Sequence, residues 1–176
     1  MVRVFVGITV PADIKRYVMG IQSGLVALPA KTKFVESENL HVSLSFLGEI
    51  DENHIESIKS KLVALANLHE KFKIAFGGLE LIPNGQFIRV IALAVKSGYL
   101  ETLRKEIVKT VGGESHPAHL TLARVSNVAE KKKFVDVIKE IKCEEKNMLV
   151  GDICLIQSTL QKHGPLYTVL HKSYLK

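Results

Sequence analysis

The chain has 176 residues, with 24 lysines and arginines against 18 aspartates and glutamates, a net charge of +6 and an isoelectric point near 9.3. That length buries a sizeable core without staples, and the only two cysteines, Cys143 and Cys154, give no disulfide framework and fit no zinc or redox spacing, so both read as buried small hydrophobes in a reducing compartment. The basic balance favours polyanionic partners, and no apolar run is long enough to span a bilayer, which leaves a cytoplasmic protein with no membrane association as the expectation.

In chain order, the first apolar run, Val2 to Val10, is broken by Arg3, reaches Pro11 quickly and lacks a small-residue cleavage site, so it reads as a strand and not a signal. After Pro11 an apolar stripe at helical spacing (Ile14, Tyr17, Val18, Ile21, Leu25, Leu28) predicts a first helix. Leu40 to Leu47 reads as a strand, followed by a helix on Ile55, Ile58, Leu62 and Leu65 with Asp51 as a cap-type residue near its start. Phe72 to Ile82 and Phe87 to Val95 are two strands joined by a turn at Pro83-Asn84-Gly85. Ser97 precedes a third helix on Leu100, Leu103, Ile107 and Val111, and Ala118 to Val125 is a further strand. A fourth helix carries Phe134, Val137, Ile138 and Ile141; the run Lys131-Lys132-Lys133 at its start reads as a solvated face that adds weakly to an RNA-attracting field. Met148 to Leu160 and Tyr167 to Tyr174 are strands around a turn at His163-Gly164-Pro165.

This order repeats. Each half, about 1–83 and 84–176, runs strand, helix, histidine-bearing strand, helix, strand, with one extra strand in the second. The predicted class is therefore α+β, a single 1–176 domain of two pseudo-symmetric lobes of antiparallel sheet, helices outside and a central cleft between them.

The cleft is predicted from what the two equivalent strands carry. His41-Val42-Ser43-Leu44 and His119-Leu120-Thr121-Leu122 each put an imidazole and a hydroxyl two residues apart, hence on one face, with the apolar residues on the other. Displacement at phosphorus sets the attacking and leaving oxygens roughly in line on opposite sides of the phosphoryl group. One imidazole cannot serve both sides, so two histidines with pKa values near neutrality suit a proton donor and a proton acceptor. The hydroxyls of Ser43 and Thr121 suit the non-bridging oxygens, where charge builds. Neither metal nor cofactor is required by this chemistry.

The run His41 to Gly48 (HVSLSFLG) and the run His119 to Arg124 (HLTLAR) resemble the paired HxTx signatures of the 2H phosphoesterases, most closely the RNA 2′,3′-cyclic phosphodiesterases, historically called 2′,5′ RNA ligases. Arg3 to Ile8 with Pro11 is similar to that family's opening strand, and Ser158, Leu160, Gly164, Pro165 and Tyr167 to its closing hairpin. Two departures are Ser43 in place of the usual threonine, and Pro117 two residues before His119 where the family often has proline immediately before the histidine. The resemblance implies hydrolysis of an RNA-terminal 2′,3′-cyclic phosphate to a 2′-phosphate, with His41 as proton donor, His119 as proton acceptor, Arg124 on phosphate or ribose and Phe46 stacked on the terminal base. It implies RNA as the partner and no obligatory protein partner. Strict alternation, however, sets Phe46 and Arg124, each five residues past its histidine, on the face opposite the imidazoles, so a bulge or the strand's end must intervene.

His54, His69, His163 and His171 sit in no motif and read as solvent-facing or hydrogen-bonded; His116 with His119 lacks the carboxylate or thiolate to complete a metal set. Two other functions fit parts of the pattern. A 2′,5′ RNA ligase acting on tRNA-like fragments would use the same histidines with a hydroxyl in place of water, although no K-x-D-G or phosphate-loop motif is present. A non-catalytic RNA-binding module fits the charge but leaves the twin motifs unexplained.

Overall fold

A computed structural model describes residues 1–162 and 164–176. His163, in the last predicted turn, lies outside the described residues. The elements are β1 (Val2–Thr9), α1 (Ala12–Leu25), β2 (Ala30–Phe34), β3 (His41–Ile50), α2 (Ile55–Ala66), β4 (Phe72–Pro83), β5 (Ile88–Lys96), α3 (Gly98–Val111), β6 (His119–Val128), α4 (Lys131–Glu140), β7 (Lys146–Val150), β8 (Asp152–Gln161) and β9 (Gly164–Tyr174), with 3₁₀ turns at Ser37–Asn39 and Glu52–His54. Every predicted helix and strand is present. Two details differ: β2 is not among the predicted strands, and the run Met148 to Leu160 divides at Gly151 into β7 and β8.

The four helices form on the predicted stripes and bury them in one continuous core: Ile14, Val18, Ile21 and Leu25 from α1, Ile58, Leu62 and Leu65 from α2, Leu100, Leu103 and Ile107 from α3, and Phe134 and Ile138 from α4. Ser97 caps α3, its Oγ accepting from the Leu100 amide at 3.2 Å. Asp51 caps the 3₁₀ turn ahead of α2 instead of α2 itself, accepting from the Asn53 amide at 2.9 Å. No helix among the described residues is long and apolar enough to cross a membrane.

The strands form one antiparallel sheet in the order β7-β4-β5-β6-β3-β1-β8-β9, with β2 also paired to β6. At its middle β3 and β6 meet through a single residue pair, Val42 with Leu120. The sheet therefore divides there into two lobes, β9-β8-β1-β3 and β6-β5-β4-β7 with β2, and the helices cover their shared apolar side. The sequence halves exchange strands in building them: β4 joins the lobe made mostly by the second half, and β8 and β9 join the lobe that contains β1 and β3.

Val42, Leu44, Leu120 and Leu122 all point into the core, each at most 1% exposed, as their alternation with the histidines predicts. The opposite faces of β3 and β6, with His41, Ser43, His119 and Thr121, open onto a cleft of about 720 Å³. Extending the Val42–Leu120 register by one residue each way sets His41 across from Thr121 and His119 across from Ser43. The two motifs are thus brought face to face across the seam between the lobes.

Candidate active site

The two histidines are held in the same manner. His41 Nδ1 lies 2.6 Å from the Asn39 carbonyl oxygen, and His119 Nδ1 lies 2.9 Å from the Pro117 carbonyl oxygen, in each case two residues back along the chain. A carbonyl only accepts, so Nδ1 carries the hydrogen in both rings and Nε2 is left to take or give a proton. Pro117 supplies the second of these carbonyls.

His41 Nε2 is 3.0 Å from Ser43 Oγ, so the neutral ring accepts the hydroxyl hydrogen and a protonated ring donates to the same oxygen. Asn39, whose carbonyl holds His41, is itself buried and tied by its Nδ2 to the Pro165 carbonyl at 2.9 Å. The start of β9 and the backing of His41 are therefore one unit.

An aromatic floor lies under His41. Phe5 of β1 is 4% exposed, with its ring centroid 4.7 Å from that of His41, and Tyr167 of β9 meets His41 edge-on at 5.0 Å. Burial in this setting is the main reason the His41 imidazole is held below the ordinary histidine pKa; the Asn39 carbonyl opposes it, and positive charge at His119 and Arg124 adds to the lowering. Tyr167 is pushed up by burial, with Arg124 again opposing. The Arg124 guanidinium thus acts on both groups. Replacing it by glutamine removes a cause of the lowering, so the His41 pKa rises in the Arg124→Gln variant. In the wild type, bound inorganic phosphate raises it by supplying negative charge. Imidazole proton or nitrogen shifts followed against pH check both; a His41 titration indifferent to phosphate would mean that the anion does not share the cleft with these groups.

The strand-parity conflict over Phe46 and Arg124 is resolved by two equivalent bulges. Along β3 the register to β1 steps from Ser43 to Ser45, leaving Leu44 as the extra residue; along β6 the register to β5 steps from Thr121 to Ala123, leaving Leu122 extra. Two consecutive side chains go inward at each bulge: Leu44 and Ser45, and Leu122 and Ala123. The alternation then resumes out of phase, which brings Phe46 and Arg124 onto the cleft face with the histidines. Polar groups fix both bulges. Ser45 Oγ donates to the Gly112 carbonyl at 2.7 Å, and Gln22 Nε2 from α1 donates to the carbonyls of Leu122 and Val35 at 3.0 and 2.9 Å.

Phe46 is 43% exposed, and its backbone forms a two-way bridge with Glu114. His116 and Pro117 line the cleft beside it. The segment that carries them is clamped from α3: Arg104 donates to Glu101 and to Ser115 Oγ, and Glu101 Oε1 accepts from the Ala118 amide at 3.3 Å. Hydrogen bonding to Arg104 is the main cause that holds the Glu101 carboxyl below its usual range.

All six sequence-predicted site residues, His41, Ser43, Phe46, His119, Thr121 and Arg124, line the one cleft. Sequence reasoning missed Phe5, Lys33, Asn39 and Tyr167. The signal for Phe5 was present: Val4-Phe5-Val6 is apolar on both faces, which requires a cover on the cleft side too. Lys33 belongs to the alternation Lys31, Thr32, Lys33, Phe34 of the missed strand β2. Among the histidines outside the motifs, His54 is exposed and His69 is buried with Nδ1 2.8 Å from the Tyr99 hydroxyl. His171 departs from expectation: it is half-buried, and its Nε2 has no hydrogen-bond partner among the described residues. Cys154 is buried as expected, whereas Cys143 is only partly so because it sits in the short link after α4. Among the described residues no three His, Cys, Asp or Glu side chains converge on a metal-sized site.

Residues 8–92 match the family described as LigT like Phosphoesterase. Over 176 aligned residues the chain is 32% identical to a protein of Methanothermobacter thermautotrophicus named RNA 2′,3′-cyclic phosphodiesterase, covering 95% of each. A protein of the same name from Archaeoglobus fulgidus is 33% identical, covering 94% of this chain and 96% of its own. Among solved structures, a Thermus thermophilus protein superposes with a TM-score of 0.79 at 23% identity, covering 98% of this chain and 97% of that one. Escherichia coli LigT complexed with phosphate gives 0.75 at 20%, covering 99% of this chain and 97% of that one. These two likenesses show that the fold is shared.

Proposed function

The chain belongs to the LigT-like phosphoesterases, within the 2H phosphoesterase family, and from that premise we propose that it hydrolyses the 2′,3′-cyclic phosphate at an RNA end to a 2′-phosphate by metal-independent acid and base catalysis. The observation that carries the reading is the duplicated arrangement in one cleft: two histidines, each with Nδ1 fixed on a carbonyl and Nε2 left for proton transfer, and each beside a hydroxyl.

In the proposed reaction a water molecule gives its proton to His119 Nε2 while its oxygen bonds to phosphorus. The bond from phosphorus to the 3′ oxygen breaks, and that oxygen takes a proton from His41 Nε2. The assignment of roles is supported by environment. The hydrogen bond that holds His119 is exposed whereas that of His41 is part-buried, and His41 lies against Phe5 and Tyr167, where a leaving oxygen would be kept from bulk water. Burial and neighbouring positive charge hold the His41 pKa below the ordinary histidine value in the free protein. The anionic substrate offsets that charge, so binding itself raises the protonated fraction of the donor. Thr121 and Ser43 donate to the non-bridging oxygens, Ser43 by turning away from His41 Nε2.

Thr121→Val keeps the shape and removes the donor. Turnover of a cyclic-phosphate oligonucleotide falls by about ten- to a thousand-fold; a rate equal to wild type would reduce Thr121 to a strand residue.

The proposal is tested by incubating the protein with an oligonucleotide ending in 2′,3′-cyclic phosphate, with chelator, without nucleotide, and with a second oligonucleotide bearing a free 5′ hydroxyl. The expected product is the unjoined oligonucleotide with a 2′-phosphate. A 2′,5′-joined product would select the ligase reading, and binding without turnover the RNA-binding module.

A further inference from the structure

We propose that the tip of the β4–β5 hairpin, with the Phe87 ring backed by Lys131, is a second nucleotide subsite that stacks a base of the RNA strand leading away from the cyclic phosphate. This rests on the RNA reading above and extends it to a surface outside the catalytic cleft.

The direction in which the strand leaves follows from the sheet. β3 and β6 run antiparallel through Val42 and Leu120, so the residues that follow each histidine motif lie toward opposite ends of the cleft. Phe46 is at one end and Arg124 at the other. With the terminal base on Phe46, the rest of the RNA passes toward Arg124. Lys33, the register partner of Arg124 on β2, carries a second positive charge there.

The hairpin stands at this same end. Val90 of β5 is the other register partner of Arg124, and Val90 and Ile82 both line the cleft. Phe87 precedes Val90 by three residues, which at about 3.3 Å per strand residue is about 10 Å farther out. Between them Arg89 is a bulge, since β4 register steps from Val90 to Ile88. Ile88 therefore turns into the core, and Phe87, just beyond the paired strand, is left exposed at the hairpin tip, where Lys131 from the start of α4 meets it.

Phe87 is 69% exposed, so its ring contributes little to folding through burial. The ring is nevertheless held in place. Asn84 Oδ1 accepts from the amides of Gln86 and Phe87 at 2.8 and 3.0 Å, fixing the turn. Lys131 Nζ donates to the Gln86 carbonyl at 2.5 Å and lies 6.0 Å from the Phe87 ring centroid. The result is an open aromatic face with a cation at its edge, beside a basic exit. Unpaired bases stack on aromatic faces whatever their sequence, and lysines neutralise the connecting phosphates. Lys131, the first of the lysine run that opens α4, thereby gains a role beyond a solvated helix face.

The experiment compares kcat/KM for adenosine 2′,3′-cyclic phosphate and for a tetranucleotide with the same terminus. Wild type prefers the tetranucleotide. In Phe87→Ala the ratio of the two falls by about five- to a hundred-fold, and Phe87→Trp restores it. In Lys131→Gln the salt dependence of tetranucleotide binding loses about 0.7 of a logarithmic slope. Equal preference for both substrates in wild type, or a ratio unmoved by Phe87→Ala, would overturn the subsite while leaving the phosphodiesterase reading intact. Turnover of neither substrate would remove that reading and the subsite together.

Discussion

His41→Ala and His119→Ala each slow single-turnover hydrolysis of a cyclic-phosphate oligonucleotide by about 10²- to 10⁴-fold, the usual contribution of one positioned acid or base. Each histidine lies on the cleft face of its strand and donates from Nδ1 to a carbonyl two residues back. Truncation removes the proton carrier without emptying the main core, which lies on the other side of β3 and β6; on the cleft side His41→Ala opens space only against Phe5 and Tyr167. RNA affinity is retained, because it comes mainly from phosphate neutralisation by lysines and arginines elsewhere. The two histidines act on one transition state, so the double variant loses far less than the product of the single losses. Wild-type rates in either alanine variant, or binding lost in step with activity, would move the protein to the binding-module reading.

Gly113→Ala has the largest expected effect on stability. Gly113 has φ +92°, in the region that suits glycine, and a Cβ built there stands 2.5 Å from Ser45 Oγ and 2.6 Å from the Phe46 carbonyl oxygen. Neither neighbour can yield cheaply. Ser45 is fully buried with its hydroxyl on the Gly112 carbonyl, and Phe46 is bridged in both directions to Glu114. Backbone strain and overpacking together cost about 2–4 kcal/mol. Because the collision falls on the β3 bulge that turns Phe46 into the cleft, KM for the cyclic-phosphate oligonucleotide rises as well. Gly20→Ala, in open space at an exposed position of α1, is the control and stabilises by about 0.5–1 kcal/mol. Thermal unfolding of the two variants checks the contrast; equal midpoints would show that the 112–114 loop yields freely.

The elements and the two motifs were legible because their signals are local. Apolar spacing gave the four helices, and the two-residue step from histidine to hydroxyl gave the cleft face of β3 and β6. The placement of Phe46 and Arg124 was half legible. Alternation alone sends them to the wrong face, and the bulges at Leu44 and Leu122 that correct this depend on groups distant in sequence, Gly112 for one and Gln22 for the other. Strand exchange between the lobes was not legible, since nothing in the local pattern of β4 or β8 states which neighbour it pairs with. Nor was the low pKa of His41, which arises from Phe5 on β1 and Tyr167 on β9 converging on one ring. Strand β2 escaped because it is five residues long with lysines at alternate positions.

The most direct test of the two-histidine hydrolysis is a single turnover of an oligonucleotide 2′,3′-cyclic phosphate in ¹⁸O-water with excess chelator, followed by mass analysis of the product. The account predicts a 2′-phosphate carrying one ¹⁸O, formed at the same rate with or without chelator. A 3′-phosphate, an unlabelled product, or activity lost to the chelator and restored by a divalent cation would contradict it.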